Sequence, residues 1–367
     1  MKTIASVFNS SEYNSIDDPP AIVGAMSSAQ ILVAIVSFFG VLSSSILFFA
    51  IFRNEKLREN TANYCIMIMA MTDIGMSIIG VIFPVLVVVT GHYPGVLSCQ
   101  LQGIMYPSLA MSTFSILLVL TYERFRKIVA NKQFQKEQAN KAIAALVAGV
   151  TVWSMVPVLS GNSFGMNELS ATGALCIVQA GFGVIQYDLV VGINVLFFAT
   201  VLTAMVFWYS KIYFHLKAVF AKAKNPSEDK GSNIERQILI QFLVITLFFL
   251  GCWACLAFMW ALGTFGVKIY DEWYETVAQL TCHLNSALNP VIYGVMNKKL
   301  RAAMFSVAPK WLALPKLTSS VQPSSSNSLE EGASKASTEG EICLSEPLLI
   351  GIILTIAPRI WWPKRVG

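Results

Sequence analysis

Seven long apolar segments dominate this sequence and constrain its fold more than any other feature. They lie near 28–52, 62–89, 97–127, 139–160, 184–216, 234–264 and 272–294. A helix needs about 20 apolar residues to cross the hydrocarbon core of a bilayer, and each segment is that long. Only 13% of the residues are charged, whereas about 25% are charged in an average soluble domain. The sequence therefore predicts an all-α membrane protein with seven transmembrane helices.

Positive charge is distributed unevenly between the loops that join these segments. Lysines and arginines follow the first, third, fifth and seventh segments, whereas the other side holds only Lys2 and Lys268. Because cytoplasmic loops carry the excess of positive charge, we expect a multi-pass plasma-membrane protein with its N-terminus outside. Asn9 begins an Asn-Ser-Ser acceptor sequence for glycosylation on that outer side. The positive charge marks topology, so no nucleic-acid partner is expected.

The sequence predicts four regions. They are an extracellular N-terminus at 1–27, a seven-helix domain at 28–294, an amphipathic cytoplasmic helix at 295–310 and a disordered cytoplasmic tail at 311–367. The short helix is expected because Leu300, Met304 and Phe305 have helical spacing. The tail is rich in serine, glutamate and glycine over 318–342, a composition typical of disorder. The apolar run at 348–357 is too short to span a membrane, and its role stays open.

Polar residues inside the apolar segments are the most informative, because burying them in a membrane is costly. Asp73 lies in the middle of the second segment, and Glu123-Arg124-Phe125 ends the third. The seventh segment contains Asn289-Pro290 followed by Val-Ile-Tyr293. In this order and on these segments, the motifs resemble those of the rhodopsin-like G-protein-coupled receptors. The resemblance covers roughly residues 28–306.

The seventh segment and its extension narrow the resemblance to the opsins. Asn289 to Tyr293, followed by Met296-Asn297-Lys298 and Arg301, is similar to the opsin pattern N-P-V-I-Y-x-x-M-N-K-x-x-R. Opsins attach retinal to a lysine six residues before this asparagine, where this chain has His283. A Schiff base needs a primary amine, so the sequence argues against covalent retinal. Opsin-like receptors of placozoans that lack this lysine look similar.

The resemblance also implies a ligand cavity near the outer ends of the helices. Its expected lining is Gln102, Tyr106, Glu168, Trp253, Leu256 and His283. Gln102 stands where visual opsins keep a carboxylate counterion, and Glu168 matches an alternative counterion position. Tyr106 replaces the aspartate of amine receptors, and the apolar, aromatic lining favours a lipophilic ligand. His283 is either a ligand contact or a core histidine, and the sequence leaves both readings open.

Two cysteines on the outer side are expected to form a disulfide. Cys99 begins the third segment and Cys176 lies in the second outer loop, and both face the oxidising compartment. The bond would hold this loop over the ligand cavity. Cys252 and Cys255, by contrast, lie in the middle of the sixth segment and are expected to be packing residues.

A second polar group is expected deeper in the bundle. It consists of Asp73, Thr113, Asn285, Ser286 and Asn289, which match the family's inner polar pocket. An oxygen-rich lining around a carboxylate suits a small hard cation such as Na⁺. The alternative is a hydrated polar cluster without an ion.

The resemblance assigns a signalling switch to the cytoplasmic ends of the helices. Its residues are Glu123, Arg124, Tyr209, Glu235, Asn289, Pro290 and Tyr293. An ion pair of Arg124 with Glu235 would hold the third and sixth helices together in the inactive state. Glu235 could instead be a solvated charge at a helix end. Tyr209 and Tyr293 match the tyrosines that hold the open state.

These features predict an opsin-related receptor that transmits an extracellular or retinoid-linked signal to a heterotrimeric G protein. Arrestin, a receptor kinase and membrane lipids are further expected partners. The alternative is a receptor for a diffusible lipophilic or peptide ligand with no photoreceptor role. We expect no enzyme, because the segments carry no nucleophile–base set, and no transporter, because inverted repeats are lacking.

The sequence departs from the family pattern at three further positions. Ser44 replaces an asparagine, and Val201 and Cys255 replace prolines that bend the fifth and sixth helices.

Overall fold

The computed structural model describes most of the helical region of the chain. The described residues are 23–90, 95–159, 168–169, 175–177, 185–222, 230–265, 267 and 272–307. Asn9 and the chain beyond residue 307 lie outside these ranges. The expected glycosylation, the expected tail and the apolar run at 348–357 therefore stay predictions.

Seven long helices form the described structure, and they are numbered here from first to seventh as membrane helices. They are Val23–Arg53, Thr61–Thr90, Val96–Ile128, Lys136–Leu159, Ile185–Lys222, Lys230–Thr264 and Glu272–Met296. A short helix, Glu55–Glu59, connects the first two, and Lys298–Val307 follows the seventh. The predicted all-α fold with a short eighth helix is confirmed. Several helices extend beyond the apolar segments. Hydropathy identifies only the part of a helix that lies in lipid, whereas residues with high helix propensity continue the helix past that part.

The third membrane helix lies at the centre of the bundle. Of its most apolar stretch, 72% is buried within the protein, against 22% for the fourth helix. Six of the seven helices are long and apolar enough to cross a membrane by composition alone. The seventh is more polar because one face of it is turned into the protein. Its buried polar residues are Glu275, Thr276, Gln279, His283, Asn285, Ser286 and Asn289.

A two-stranded hairpin lies between the fourth and fifth membrane helices. Strand β1 (Glu168–Leu169) pairs antiparallel with β2 (Cys176–Ile177), so that Leu169 is opposite Cys176. Cys176 is bonded to Cys99 near the N-terminal end of the third helix, as expected from the sequence. The hairpin is thereby fixed to the central helix. The side chain of Glu168 lies outside the described residues, so its expected place in the ligand cavity stays a prediction.

The helix Lys298–Val307 packs against the first and seventh membrane helices. Leu300 is fully buried and Ala303 nearly so, whereas Phe305 is half exposed. The amide oxygen of Asn297 accepts a hydrogen bond from the Leu300 N–H, which caps the start of this helix. The apolar residues of this helix therefore point in two directions. Leu300 faces the protein, and Phe305 faces outward.

Candidate ligand cavity and signalling switch

A small cavity lies between the third, fifth and sixth membrane helices. Its lining is Tyr106, Pro107, Ala110, Met111, Asn194, Phe198, Trp253, Leu256 and Trp260. Three of the predicted lining residues, Tyr106, Trp253 and Leu256, are therefore brought together. The cavity volume is about 30 Å³, enough for one or two water molecules by the usual criterion. A larger ligand would need the surrounding side chains to move.

Gln102 holds the outer hairpin rather than lining the cavity. Its side-chain oxygen Oε1 accepts a hydrogen bond of 2.8 Å from the backbone N–H of Cys176. Both residues are buried, and the disulfide to Cys99 joins the same two elements. The neutral amide at this position thus anchors the loop to the third helix.

His283 is buried, but its ring does not line the cavity. The ring packs edge-on against Tyr106, with 5.8 Å between ring centroids. Its Cε1 and Nδ1 atoms lie against the backbone of Gly80 in the second helix, where the hydroxyl of Ser37 in the first helix also lies. The side chain therefore occupies the junction of the first, second and seventh helices.

Four aromatic rings form the floor of the cavity. Phe114 of the third helix contacts Phe198, Phe249 and Trp253, with centroid separations of 4.4, 4.3 and 5.4 Å respectively. These edge-to-face contacts join the third, fifth and sixth helices beside the cavity. The sequence interpretation identified only Trp253, because phenylalanines in apolar segments cannot be distinguished from ordinary core residues.

Asn194 is a polar lining residue that the sequence interpretation missed. Its Oδ1 accepts a hydrogen bond of 2.8 Å from the indole N–H of Trp153, which links the fourth and fifth helices. Asn194 is buried within an otherwise apolar segment. A single amide inside an apolar segment is costly to bury in a membrane, so this feature of the sequence could have identified Asn194 as a candidate.

Asp73 is the centre of the inner polar group. Its Oδ1 accepts a hydrogen bond of 2.9 Å from the hydroxyl of Ser286, and its Oδ2 accepts one of 3.2 Å from Asn289 Nδ2. The second and seventh helices are thus joined through one buried carboxylate. Ser44 stands in the position where the family has asparagine, and its hydroxyl donates to the Ser286 backbone oxygen at 3.1 Å. This contact joins the first helix to the seventh beside the same group.

The other two predicted members of this group have different surroundings. The Thr113 hydroxyl donates to the Leu109 backbone oxygen at 3.1 Å and lies 2.9 Å from the Thr72 hydroxyl, so within the described chain its partners are these and not Asp73. Asn285 is buried, and its Oδ1 has no hydrogen-bond partner among the described residues. The same holds for Asn289 Oδ1. Asn289 binds Asp73 through its Nδ2, so its unpartnered oxygen belongs to a side chain beside the carboxylate, where a small hard cation or a water would satisfy it.

Arg124 lies near the C-terminal end of the third helix and is buried. Its Nε is 3.3 Å from Oε2 of the neighbouring Glu123. The side chain of Glu235 lies outside the described residues, so the expected ion pair between the third and sixth helices stays a prediction. Within the described chain, the guanidinium is paired inside its own helix.

Tyr209 of the fifth helix joins three helices. Its hydroxyl is 3.0 Å from the hydroxyl of Thr246 in the sixth helix and 3.5 Å from that of Thr121 in the third. Tyr293 is fully buried, and its hydroxyl has no hydrogen-bond partner within the described chain. Pro290 lies inside the seventh helix, between Asn289 and Tyr293 in the sequence. The two threonines were absent from the sequence interpretation.

Comparison with known proteins places this geometry in a family. Residues 44–293 match the family model described as the 7 transmembrane receptor of the rhodopsin family. Melatonin receptor type 1A-A of Danio rerio is 24% identical over 306 residues, which cover 77% of this chain and 80% of that receptor. Visual pigment-like receptor peropsin of Homo sapiens is 23% identical over 309 residues, covering 82% of this chain and 86% of peropsin.

A solved structure supports the same fold. The crystal structure of squid rhodopsin matches with a TM-score of 0.68 at 19% identity, covering 80% of this chain and 87% of that chain. The family match covers more than half of the chain, from the first membrane helix to Tyr293. The chain therefore belongs to the rhodopsin family of seven-transmembrane receptors, and it is a multi-pass membrane protein of the G-protein-coupled class.

Proposed function

We propose that this chain is an opsin-related receptor that passes a signal from its outer cavity to a heterotrimeric G protein without covalent retinal. The observation that carries this proposal is His283, an imidazole in the position of the opsin lysine. No lysine is buried in the part of the chain that the structure describes. The described bundle interior therefore offers no primary amine for a Schiff base.

The opsin relationship is supported from two sides. The seventh helix and its extension carry the opsin-like run from Asn289 to Arg301. Peropsin, a visual pigment-like receptor, is among the relatives, and squid rhodopsin shares the fold. Without a covalent bond, a retinoid would have to be held by contacts with the aromatic lining, chiefly Tyr106, Trp253 and Trp260.

Transmission to the cytoplasmic side follows the buried contacts between helices. A ligand that moves Trp253 also moves Phe114 and Phe249, because the three rings are in contact. Below them, Tyr209 holds the sixth helix to the third and fifth through Thr246 and Thr121. Movement of the sixth helix would break this group and expose Arg124 to the G protein. The ligand and the G protein would thus act on the same two-state element.

The polar group around Asp73 fits a sodium ion. Asp73, Ser286 and the orphaned oxygens of Asn285 and Asn289 would hold it. When bound, such an ion neutralises the carboxylate in the bundle interior. The residues themselves keep the second and seventh helices together, so the ion would favour the packed state over one in which these helices separate.

The loop charges and the family support a plasma-membrane receptor with its N-terminus outside. In this orientation the disulfide-linked hairpin faces the extracellular side, and Arg124 faces the cytoplasm. Arrestin and a receptor kinase are proposed partners of the cytoplasmic face, because the tail after residue 311 is rich in serine.

The experiment is reconstitution of the purified receptor with retinal, followed by absorbance spectra with and without borohydride. We expect no retinal to be attached by reduction, while the receptor still catalyses nucleotide exchange on a purified G protein. The matched control is His283→Lys, which restores an amine at the same position. Retinal fixed by borohydride to the unsubstituted receptor would overturn the proposal.

The second candidate function is a receptor for a diffusible lipophilic or peptide ligand. A receptor for melatonin is among the relatives, and the cavity lining is mostly apolar. Nucleotide exchange measured in darkness and light, with and without retinal, separates the two functions. A rate that retinal and light leave unchanged, but that a lipophilic extract raises, would favour the second candidate.

A further inference from the structure

Two arginines at the C-terminal end of the first membrane helix lie over phenylalanine rings. The guanidinium carbon of Arg53 is 6.0 Å from the centre of the Phe49 ring, and that of Arg58 is 5.6 Å from the centre of the Phe52 ring. Arg58 also donates a 2.8 Å hydrogen bond from Nη1 to the backbone oxygen of Phe52. Because a cation is attracted to the face of an aromatic ring, both guanidinium groups are held beside these rings.

The two rings are open to the surroundings of the protein. Phe49 is 44% exposed and Phe52 is 48% exposed, although Phe52 is also stacked on Phe48 at a centroid separation of 5.6 Å. They belong to the last turns of a helix that is apolar and long enough to cross a membrane. Arginines near the end of such a helix extend into the headgroup region of the bilayer. This end of the helix therefore combines an apolar surface with fixed positive charge.

The helix Lys298–Val307 brings further cations to the same part of the bundle. It packs against the first membrane helix, and the side chains of Lys298 and Lys299 are exposed. Phe305 of this helix is 51% exposed and adds a third open ring. In a bundle of seven successive crossings, the first and seventh helices end at the same membrane surface. The two sets of cations therefore face the same leaflet.

The positive charge of this region is not balanced by the protein. The region is called the basic patch here and consists of Arg53, Lys56, Arg58, Lys298, Lys299 and Arg301. Glu55 and Glu59 are the carboxylates within 53–59 and 297–307, so six cations against two carboxylates leave a net charge of +4. None of the six cations forms an ion pair within the residues that the structure describes. An anion from outside the chain would therefore be attracted to the patch.

The combination of charges and rings selects one kind of anion. Arginine and lysine donate strong hydrogen bonds to phosphate oxygens, so the cations fit the headgroup of a phospholipid. A neutral phospholipid would leave the net charge unbalanced, whereas an anionic one compensates it. A free anion would gain nothing from the exposed phenylalanines, which contact the acyl chains of a lipid. An anionic phospholipid satisfies both parts of the surface.

We propose that the basic patch binds anionic phospholipids, with their headgroups on the cations and their acyl chains against Phe49, Phe52 and Phe305. In the orientation proposed above, the patch faces the cytoplasmic leaflet, where anionic lipids are concentrated. The choice of leaflet rests on the proposed function, but the binding itself does not.

Native mass spectrometry of the purified full-length receptor in detergent tests the proposal. The receptor is mixed with phosphatidylserine or with phosphatidylcholine of identical acyl chains, and the bound lipids are counted. We expect the receptor to retain phosphatidylserine in preference to phosphatidylcholine. Equal retention of the two lipids would overturn the proposal.

A triple variant locates the binding. Arg53→Gln, Lys298→Gln and Lys299→Gln remove three exposed charges of the patch, so we expect the preference for phosphatidylserine to fall several-fold. The matched control carries Lys127→Gln, Lys132→Gln and Lys217→Gln, which remove three exposed charges elsewhere. We expect this control to keep the preference, and both triple variants to keep the melting temperature of the receptor. An equal loss of preference in the two variants would show that net charge alone attracts the lipid, against the proposal.

A soluble headgroup separates a lipid site from a site for a free anion. Glycerophosphoserine has the headgroup of phosphatidylserine without its acyl chains, so at equal concentration we expect it not to displace the bound lipid. Displacement would show that the patch binds a free anion and would overturn the proposal. These measurements use the receptor without G protein or retinal. A failure to bind lipid and a failure to signal are therefore distinguishable.

Discussion

The hydroxyl of Tyr274 in the seventh membrane helix donates a 3.0 Å hydrogen bond to the backbone oxygen of Cys255 in the sixth. Cys255 occupies the position where the family has the proline that bends the sixth helix. Cys252 lies three residues before Cys255 in the sixth helix. Its backbone oxygen is 3.9 Å from the thiol of Cys282 in the seventh helix. The seventh helix thus holds the sixth at two carbonyl groups, in the stretch where other members of the family have a flexible bend.

Tyr274→Phe removes the first of these contacts and should make the sixth helix easier to move. A lost hydrogen bond of this kind is worth about 1 kcal/mol, which is about a fivefold change in a two-state equilibrium. We therefore expect basal nucleotide exchange on the G protein to rise several-fold, measured with purified receptor in lipid discs. Tyr213→Phe is a suitable control, since that ring is half exposed on the fifth helix. Unchanged basal exchange in Tyr274→Phe would show that the contact does not restrain the helix.

A corresponding prediction concerns the contact of Tyr209 with the third and sixth helices. Tyr209→Phe removes the hydroxyl that lies between Thr246 and Thr121, so the sixth helix loses its link to the third and fifth. We expect higher basal nucleotide exchange, because this contact stabilises the packed arrangement. The family resemblance predicts instead that Tyr209 stabilises the open state of the receptor. Normal basal exchange combined with a weaker response to activation would support that role instead.

The sequence predicted the helices and the motif residues well, because both depend on local composition. The length of the apolar segments predicts the membrane helices. A charged residue inside such a segment, such as Asp73 or Arg124, is recognisable as a functional candidate because burying it is costly. The orientation of His283 could not be predicted, since it depends on Gly80 in a helix far away in the sequence. The roles of Tyr274 and Gln102 were hidden for a similar reason. Their partners are backbone groups, whose positions follow from helix rotation and loop placement and not from residue type.

The anchoring role of Gln102 leads to a stability prediction. Gln102→Leu removes the acceptor for the Cys176 N–H, and leaving that buried donor unpaired should reduce stability by about 1–3 kcal/mol. The measurement is thermal unfolding of the purified receptor. Thr203→Val is the control, because the exposed Thr203 hydroxyl donates to the Ala199 backbone oxygen of its own helix and not to the hairpin. If Gln102→Leu and Thr203→Val unfold alike, the hydrogen bond to the hairpin is not important for stability.

The last prediction tests the polar group around Asp73. If Na⁺ binds there, it stabilises the folded receptor by RT ln(1 + [Na⁺]/Kd), so the melting temperature should rise with sodium concentration. Choline chloride at equal ionic strength is the control for general salt effects. Asp73→Asn keeps the size of the side chain but removes its charge, so the sodium dependence should disappear. Asn285→Ala removes only one orphaned oxygen, and we expect a weaker sodium response, not its loss. A melting temperature that rises equally in sodium and choline, or equally in the receptor and Asp73→Asn, would mean that the group is hydrated without a bound cation.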